Sequence, residues 1–280
     1  MPSAFESVLK NKNMAYRPLG SPGVDQAPTR VAFVLMDNFS MMSFTGAVDA
    51  LVTANLMCDM PLYEIVTVGV SGNQVTSDLG IVISTDIELA QLPENQDILI
   101  VAGGFRVKLQ GVPLLRRKLR ANAAYGAIMG GLWNGVFFVA DASLLDGFEC
   151  AVHPESRAMM MEVFPHVKVS SRAYVVDRGR VSCAGANSSL RMMLQLIRQT
   201  GGEALVGAIE EILRCDESGD ASDLPPVFVE TDPRLPESLK LALELMWQNI
   251  EEPLTIDELA ACVKISKRQL ERRFCSFLGA

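Results

Sequence analysis

Gly130-Gly131-Leu132-Trp133-Asn134-Gly135-Val136-Phe137-Phe138-Val139-Ala140 is the stretch that decides the fold. It follows the apolar run Tyr125-Gly126-Ala127-Ile128-Met129, expected as a strand over 125–129. It leads into a helical pattern that ends at Leu144-Leu145-Asp146-Gly147. Strand, glycine-flanked turn and helix together have the layout of a nucleophile elbow. Glycines on both sides let the backbone take a strained turn and let neighbouring groups come close. The residue at the apex then projects above the carboxyl end of a sheet, beside the N–H groups that open the next helix. A nucleophile there is Ser or Cys. The apex residue here is Trp133, which cannot attack a carbonyl.

Working outward, short apolar runs alternate with helical patterns. Arg30-Val31-Ala32-Phe33-Val34-Leu35-Met36 reads as a buried parallel strand, followed by a turn at Asp37-Asn38 and a helix through Ala47, Val48, Leu51 and Leu56. Leu62–Gly69 and Asp97–Ala102 are two more strands, the second running into Gly103-Gly104. A hairpin is expected over 74–84 around Asp78-Leu79-Gly80, and a helix over 113–123. This alternation predicts an α/β domain, a flavodoxin-like, mostly parallel sheet sandwiched by helices with right-handed crossovers. Beyond Gly147 the pattern predicts a helix over 154–164, strands near 167–170, 173–177 and 180–183, and helices over 188–199 and 203–213.

The clearest linker is Asp216-Glu217-Ser218-Gly219-Asp220-Ala221-Ser222-Asp223-Leu224-Pro225-Pro226, acidic, small and closed by proline. The sequence thus divides into a loose N-terminal arm (1–29), an α/β domain (30–215), a linker (216–232) and a small all-α unit (233–280). In that unit an amphipathic helix over 237–250 precedes two capped helices. Thr255 has Glu258 three residues on and Ser266 has Gln269 three residues on, each a capping box. Leu254 with Leu259, and Ile265 with Leu270, supply the hydrophobic staples. Two capped helices with a short turn make a helix-turn-helix. The second carries Lys267, Arg268, Arg272 and Arg273, with Gln269 beside them, and basic side chains on such a helix contact phosphates and base edges.

Composition bounds the rest. The 280 residues are 49% hydrophobic and 21% charged, ordinary for a globular chain. The formal charge of −8 argues against non-specific nucleic-acid binding by the whole surface, but leaves room for a basic patch on one small domain. No apolar run approaches the ~20 residues a membrane helix needs, so no membrane partner is expected. The N-terminus lacks the pattern of a secretory signal. Six cysteines without CxxC pairs read as reduced, buried thiols, Cys150 and Cys183 among them, and point to a cytoplasmic protein. With two histidines, His153 and His166, neither a metal centre nor any cofactor is expected.

These residues also carry a resemblance. Leu259-Ala260, Ser266, Arg268, Leu270, Arg272 and Phe274 are similar to the first helix-turn-helix of the AraC/XylS transcription-factor family. That family carries two such units joined by a long helix; here the sequence reaches Ala280, where the joining segment is expected to begin, as in a truncated member or one whose second unit was lost. Phe39, Ala54-Asn55, Gly103-Gly104, Trp133-Asn134-Gly135, Leu144–Gly147, His153 and the Asp177-Arg178-Gly179-Arg180 hairpin resemble the class-I glutamine-amidotransferase-like (PfpI-like) sensory domain of GlxA-type regulators. The Leu132–Gly135 and His153-Pro154-Glu155 segments look closest to regulators responding to arginine, carnitine or glycine betaine. Enzymatic relatives place Cys where Trp133 stands and an acid near Ser43. The resemblance therefore implies a ligand-responsive regulator, dimeric through its sensory domain, without catalysis.

Two other functions compete with this reading: a cysteine-dependent hydrolase or amidotransferase-like enzyme, and a dimerisation scaffold with a vestigial pocket. Trp133 is either a core side chain or a pocket wall whose π face receives a cation, and an elbow apex favours the pocket. The expected ligand site joins Trp133, Asn134 and Gly135 to Gly103 and Gly104, with Phe39 and Phe105 as further walls. The N–H groups at Asn134-Gly135 would favour a carboxylate, helped by Arg157, with His153 and Glu155 at the rim.

Overall fold

The structure, a computed structural model, describes residues 27–58, 60–213, 236–248 and 254–278. The expected arm lies outside the described residues up to 26, and the expected linker lies wholly outside them. Two compact units result, one up to Asp216 and one from Glu217 onward.

The first unit is built on a seven-stranded sheet. Strands β1 (Thr29–Leu35), β2 (Tyr63–Gly69), β5 (Ile87–Glu88), β6 (Ile98–Ala102), β7 (Ile128–Leu132) and β11 (Arg180–Cys183) run parallel. Strand β10 (Tyr174–Asp177) closes one edge as the antiparallel arm of a hairpin with β11. The order is β10-β11-β7-β6-β1-β2-β5, with Phe33 opposite Ile100 and Ile100 opposite Gly130. The chain leaves β1 for β2 on one side and returns to β6 on the other. The topological switch therefore falls between β1 and β6, where open α/β sheets leave a crevice at the carboxyl ends. Two satellite pairs, β3 (Gln74–Thr76) with β4 (Val82–Ser84) and β8 (Glu149–Ala151) with β9 (Lys168–Ser170), stand outside this sheet.

Alternation along the strands makes two cores. Val31, Phe33, Leu35, Ile98 and Ile100 face helices α1 (Met41–Leu56) and α5 (Ser188–Leu213). Ala32, Val34, Leu99, Val101 and Met129 face α2 (Pro113–Ala124), α3 (Val136–Asp141) and α4 (Arg157–Val163). The two helices expected over 188–213 are present, joined end to end as α5 across a kink at Gly202, whose φ of 79° belongs to no helix.

Three sequence expectations shift. The strand placed at 125–129 begins at Ile128, because Tyr125 and Gly126 (φ 93°) close α2, Ala127 N–H bonding back to the Asn122 carbonyl. Gly130 and Gly131 consequently lie inside the strand. The helix after the elbow ends at Asp141, not near Gly147, since Ser143 takes φ 58° and Arg120 Nε caps the Ala142 carbonyl at 2.9 Å. The helix expected over 154–164 opens as a 3-10 turn, Pro154–Ser156, before α4. Strand β8 escaped the sequence reading; it is only three residues long.

The second unit contains α6 (Glu237–Gln248), α7 (Ile256–Cys262) and α8 (Lys267–Leu278) around Ala242, Leu259, Ala260, Val263 and Leu270. Thr255 and Glu258 make the reciprocal capping box of α7. At α8 the Gln269 side chain accepts from the Ser266 N–H at 3.0 Å, the other half of the same device. Leu254, Ile265 and Phe274 pack on this core, and Lys264 (φ 56°) makes the turn. Two capped helices across a tight turn are the geometry of a helix-turn-helix.

Candidate functional site

Three strand ends meet at the carboxyl edge of the sheet. Met36 N–H bonds the Ala102 carbonyl at 3.2 Å, Gly103 N–H bonds the Leu132 carbonyl at 3.0 Å, and Ser40 N–H bonds the Gly103 carbonyl at 2.9 Å. The loops after β1, β6 and β7 are thus laced together. Their closeness demands glycine. A Cβ on Gly103 would collide with the Gly135 backbone, and one on Gly135 with the Val101 carbonyl. One on Gly104 would lie 2.7 Å from the Asn38 carbonyl oxygen and the Ser40 nitrogen.

Trp133 immediately follows β7 with φ 52°. Left-handed backbone costs an ordinary side chain roughly 1–2 kcal/mol, so the surroundings must impose it. The Trp133 N–H is directed to the sulfur of Cys183 on the neighbouring strand. The indole stacks on the His153 imidazole, ring centres 5.2 Å apart and planes 20° from parallel. Asn134 is buried, its Nδ2 donating to the Gly104 carbonyl at 3.4 Å and its Oδ1 accepting from Ser156 Oγ at 3.2 Å. The Pro154–Ser156 turn is thereby tied to the elbow, and so is His153, which precedes it. Ser156 and Cys183 are site residues that the sequence reading missed, because only the tertiary structure brings them to the apex.

The expected ligand residues do not all converge. Trp133 and His153 are half-buried and in contact; Gly103, Gly104, Asn134 and Gly135 form the floor; Glu155 is exposed, with Oε2 3.9 Å from His153 Nδ1. Phe105 is 63% exposed at the loop tip. Phe39 is elsewhere: it is fully buried, edge-on to Phe44 at 5.5 Å, and belongs to the core beneath α1. Arg157 is occupied, with Nε on the Val152 carbonyl at 3.1 Å and Nη2 on the Ser171 carbonyl at 3.2 Å. The helix after Gly135 has six residues, under two turns, and Gly135 is packed against Val101 and Gly103. So short a helix brings little dipole to the carboxylate site expected at its N-terminus.

Among the described residues no thiol near the elbow is activated. Burial pushes Cys183 up to about 11 and Cys150 up to about 12, so both remain protonated thiols at neutral pH. Ser43, in the first turn of α1, is completely buried and its Oγ lacks a hydrogen-bond partner. So do Trp133 Nε1 and His153 Nδ1, although both atoms are buried. An unpaired buried polar group costs about 1–3 kcal/mol. The elbow thus combines backbone strain, a stacked pair of rings and unsatisfied polar atoms, a combination typical of functional sites.

In the second unit Lys267, Arg268, Gln269 and Arg272 are exposed on α8. Lys267 Nζ lies 3.3 Å from Asp257 Oδ2. Gln269 Oε1 is engaged in the cap. Arg273 is half-buried and donates to Ser238 Oγ on α6.

Comparison with known proteins places these geometries in context. Residues 29–199 match the model of the DJ-1/PfpI family. The chain is 35% identical over 264 residues to the HTH-type transcriptional regulator GbdR of Pseudomonas aeruginosa, covering 92% of this chain and 71% of that protein. It is 29% identical over 252 residues to the HTH-type transcriptional regulator GlxA of Rhizobium meliloti, covering 89% and 78% respectively. The crystal structure of an AraC family transcriptional regulator from Pseudomonas putida superposes with a TM-score of 0.63 at 41% identity, over 66% of this chain and all of that one (100%).

Proposed function

This chain belongs to the DJ-1/PfpI family, in the branch shared with HTH-type transcriptional regulators, and on that premise we propose that its α/β domain senses a small zwitterionic or cationic metabolite for the helix-turn-helix unit. Betaine, carnitine and arginine define the effector class. The observation that carries this reading is Trp133, held at φ 52° on the apex where a nucleophile would stand, with its ring against His153. An indole there can bind but cannot attack, and the nearest thiols are buried and protonated, so the domain recognises without turning over. Because His153 covers one face of the indole, a ligand cation meets the other.

DNA is contacted by α8, through Lys267, Arg268 and Arg272 above all, with Gln269 and Arg273 held by intramolecular bonds at its cap and its base. The sensory domains pair as a homodimer. Support for this comes from α1, which besides its buried face leaves three apolar side chains to solvent, Met42 and Leu56 each 57% exposed and Val52 40%, with Thr45 and Asp49 between them. A groove of about 440 Å³ runs beside Met42 and Val52, lined also by Phe44, Val48 and Leu190 and by the polar Thr45, Asp49 and Asn187.

Calorimetry with betaine, carnitine and arginine tests the effector site. A cation over a desolvated indole contributes about 2 kcal/mol, roughly thirtyfold in affinity, so Trp133→Ala weakens binding by about that factor. A folded Trp133→Ala protein that binds as tightly as the parent would remove the ring from the site.

A further inference from the structure

We propose that the indole N–H of Trp133 is the anion-recognising donor of the elbow, taking a carboxylate oxygen of the effector. This rests on the effector-site reading above and adds to it the polarity of the ligand. Among the described residues the buried side-chain atoms without a hydrogen-bond partner are Ser43 Oγ, Thr85 Oγ1, Trp133 Nε1 and His153 Nδ1. Two of them sit on the stacked ring pair, and a third opens the helix whose Ser40 cap is bonded to Gly103. A hydroxyl or an imidazole nitrogen adapts to either a donor or an acceptor, whereas an indole nitrogen can only donate. The apex therefore requires an acceptor.

Several acceptors around the elbow already take other donors. Asn134 Oδ1 takes Ser156, the Gly104 carbonyl takes Asn134, and the Val152 and Ser171 carbonyls take Arg157. The same bonds remove Arg157 as the anion partner, and α3 is too short to supply a helix terminus. What remains is Trp133 Nε1, fixed by a strained backbone and by a stacked neighbour, and hence pre-organised. Backbone and ring pairing together explain why a bulky residue is kept at φ 52°. The ligand class that fits is a small carboxylate; a choline-like alcohol of equal cationic character lacks the acceptor charge.

The test uses the full chain labelled with ¹⁵N, which contains two tryptophans, Trp133 and Trp247. The Trp133 indole resonance is the one missing from Trp133→Phe. Glycine betaine, carnitine, arginine and choline are titrated in parallel by calorimetry. Bound carboxylates are expected to move the Trp133 indole proton downfield, and Trp133→Phe, which keeps a ring and loses the donor, binds them about tenfold or more weakly. Choline is expected to bind the parent more weakly and to lose less than the carboxylates do on Trp133→Phe, since it gives up only part of the ring contact. Choline binding as tightly as betaine, or an indole proton unmoved at saturation, overturns the carboxylate assignment while the effector site stands. An indole proton already downfield without ligand assigns the N–H to a bound water and overturns it equally. If none of the four probes binds the parent, both the assignment and the effector reading fall.

Discussion

Replacing Gly135 by alanine sets two opposite effects against each other at the elbow. Its backbone, φ −56° and ψ −27°, is one that alanine adopts freely. In an open helix that exchange is worth about 1 kcal/mol in favour of alanine. At Gly135, however, the new Cβ would run into the Val101 carbonyl and stand 2.9 Å from the Gly103 nitrogen. Neither atom is free to yield. Val101 is paired on both sides, opposite Val34 and Gly131, and Gly103 N–H holds the Leu132 carbonyl at 3.0 Å. Over-packing against such neighbours costs typically 1–3 kcal/mol or more, so the collision wins. With the collision at the upper end of that range, as a backbone oxygen this close implies, a net loss of about 2 kcal/mol lowers the thermal midpoint of the α/β domain by about 4–8 °C. Gly207, exposed in α5 with nothing within 4 Å of a Cβ, is the control. There alanine gains about 1 kcal/mol and raises the midpoint by about 2–4 °C. Both midpoints are read from thermal unfolding followed by circular dichroism. A Gly135→Ala protein as stable as Gly207→Ala would show that the loop and elbow backbones are not in contact.

Asp177 gives a pH signature: hydrogen bonds from Arg178 and from the Glu149 N–H hold its carboxyl at about 2, down from 3.8. A depressed carboxylate contributes stability that is present above pH 3.8 and is lost as the pH falls through about 2. Asp177→Asn should therefore flatten the acid limb of stability in that window, and an unchanged limb would refute the assignment. Cys150 and Cys183 should resist iodoacetamide at neutral pH in the native chain while exposed Cys262 and Cys275 react; rapid loss of either buried thiol would contradict their burial. For α8, Arg268→Ala and Arg272→Ala should each reduce the salt slope of operator binding by about one, measured in the intact regulator; unchanged affinity in both would displace the recognition helix. Leu56→Glu, on the exposed face of α1, should shift sedimentation from dimer to monomer, and a dimer that persists with Met42→Glu added would place the interface elsewhere.

Periodicity and punctuation alone determined a good deal. The apolar runs from Arg30 to Cys183 located most strands of the α/β domain, since each pattern of burial has its own period, but not the two-residue β5 or the three-residue β8. Thr255 with Glu258 and Ser266 with Gln269 located α7 and α8 of the second unit, because caps are local chemistry. Glycine spacing around Trp133 announced an elbow and its missing nucleophile. Other features depended on distance in space. Tyr125-Gly126 looked like strand and closes a helix, because a C-cap is decided by carbonyls a turn earlier. Phe39 looked like a pocket wall and lies in the core, and Arg157 looked free and ties two carbonyls. The stacking of Trp133 on His153, twenty residues on, the Cys183 sulfur behind the elbow and the unpaired indole N–H arise where separate strands and turns are brought together. A one-dimensional pattern records which face a residue prefers; which partner it meets there is set only when the sheet closes its order.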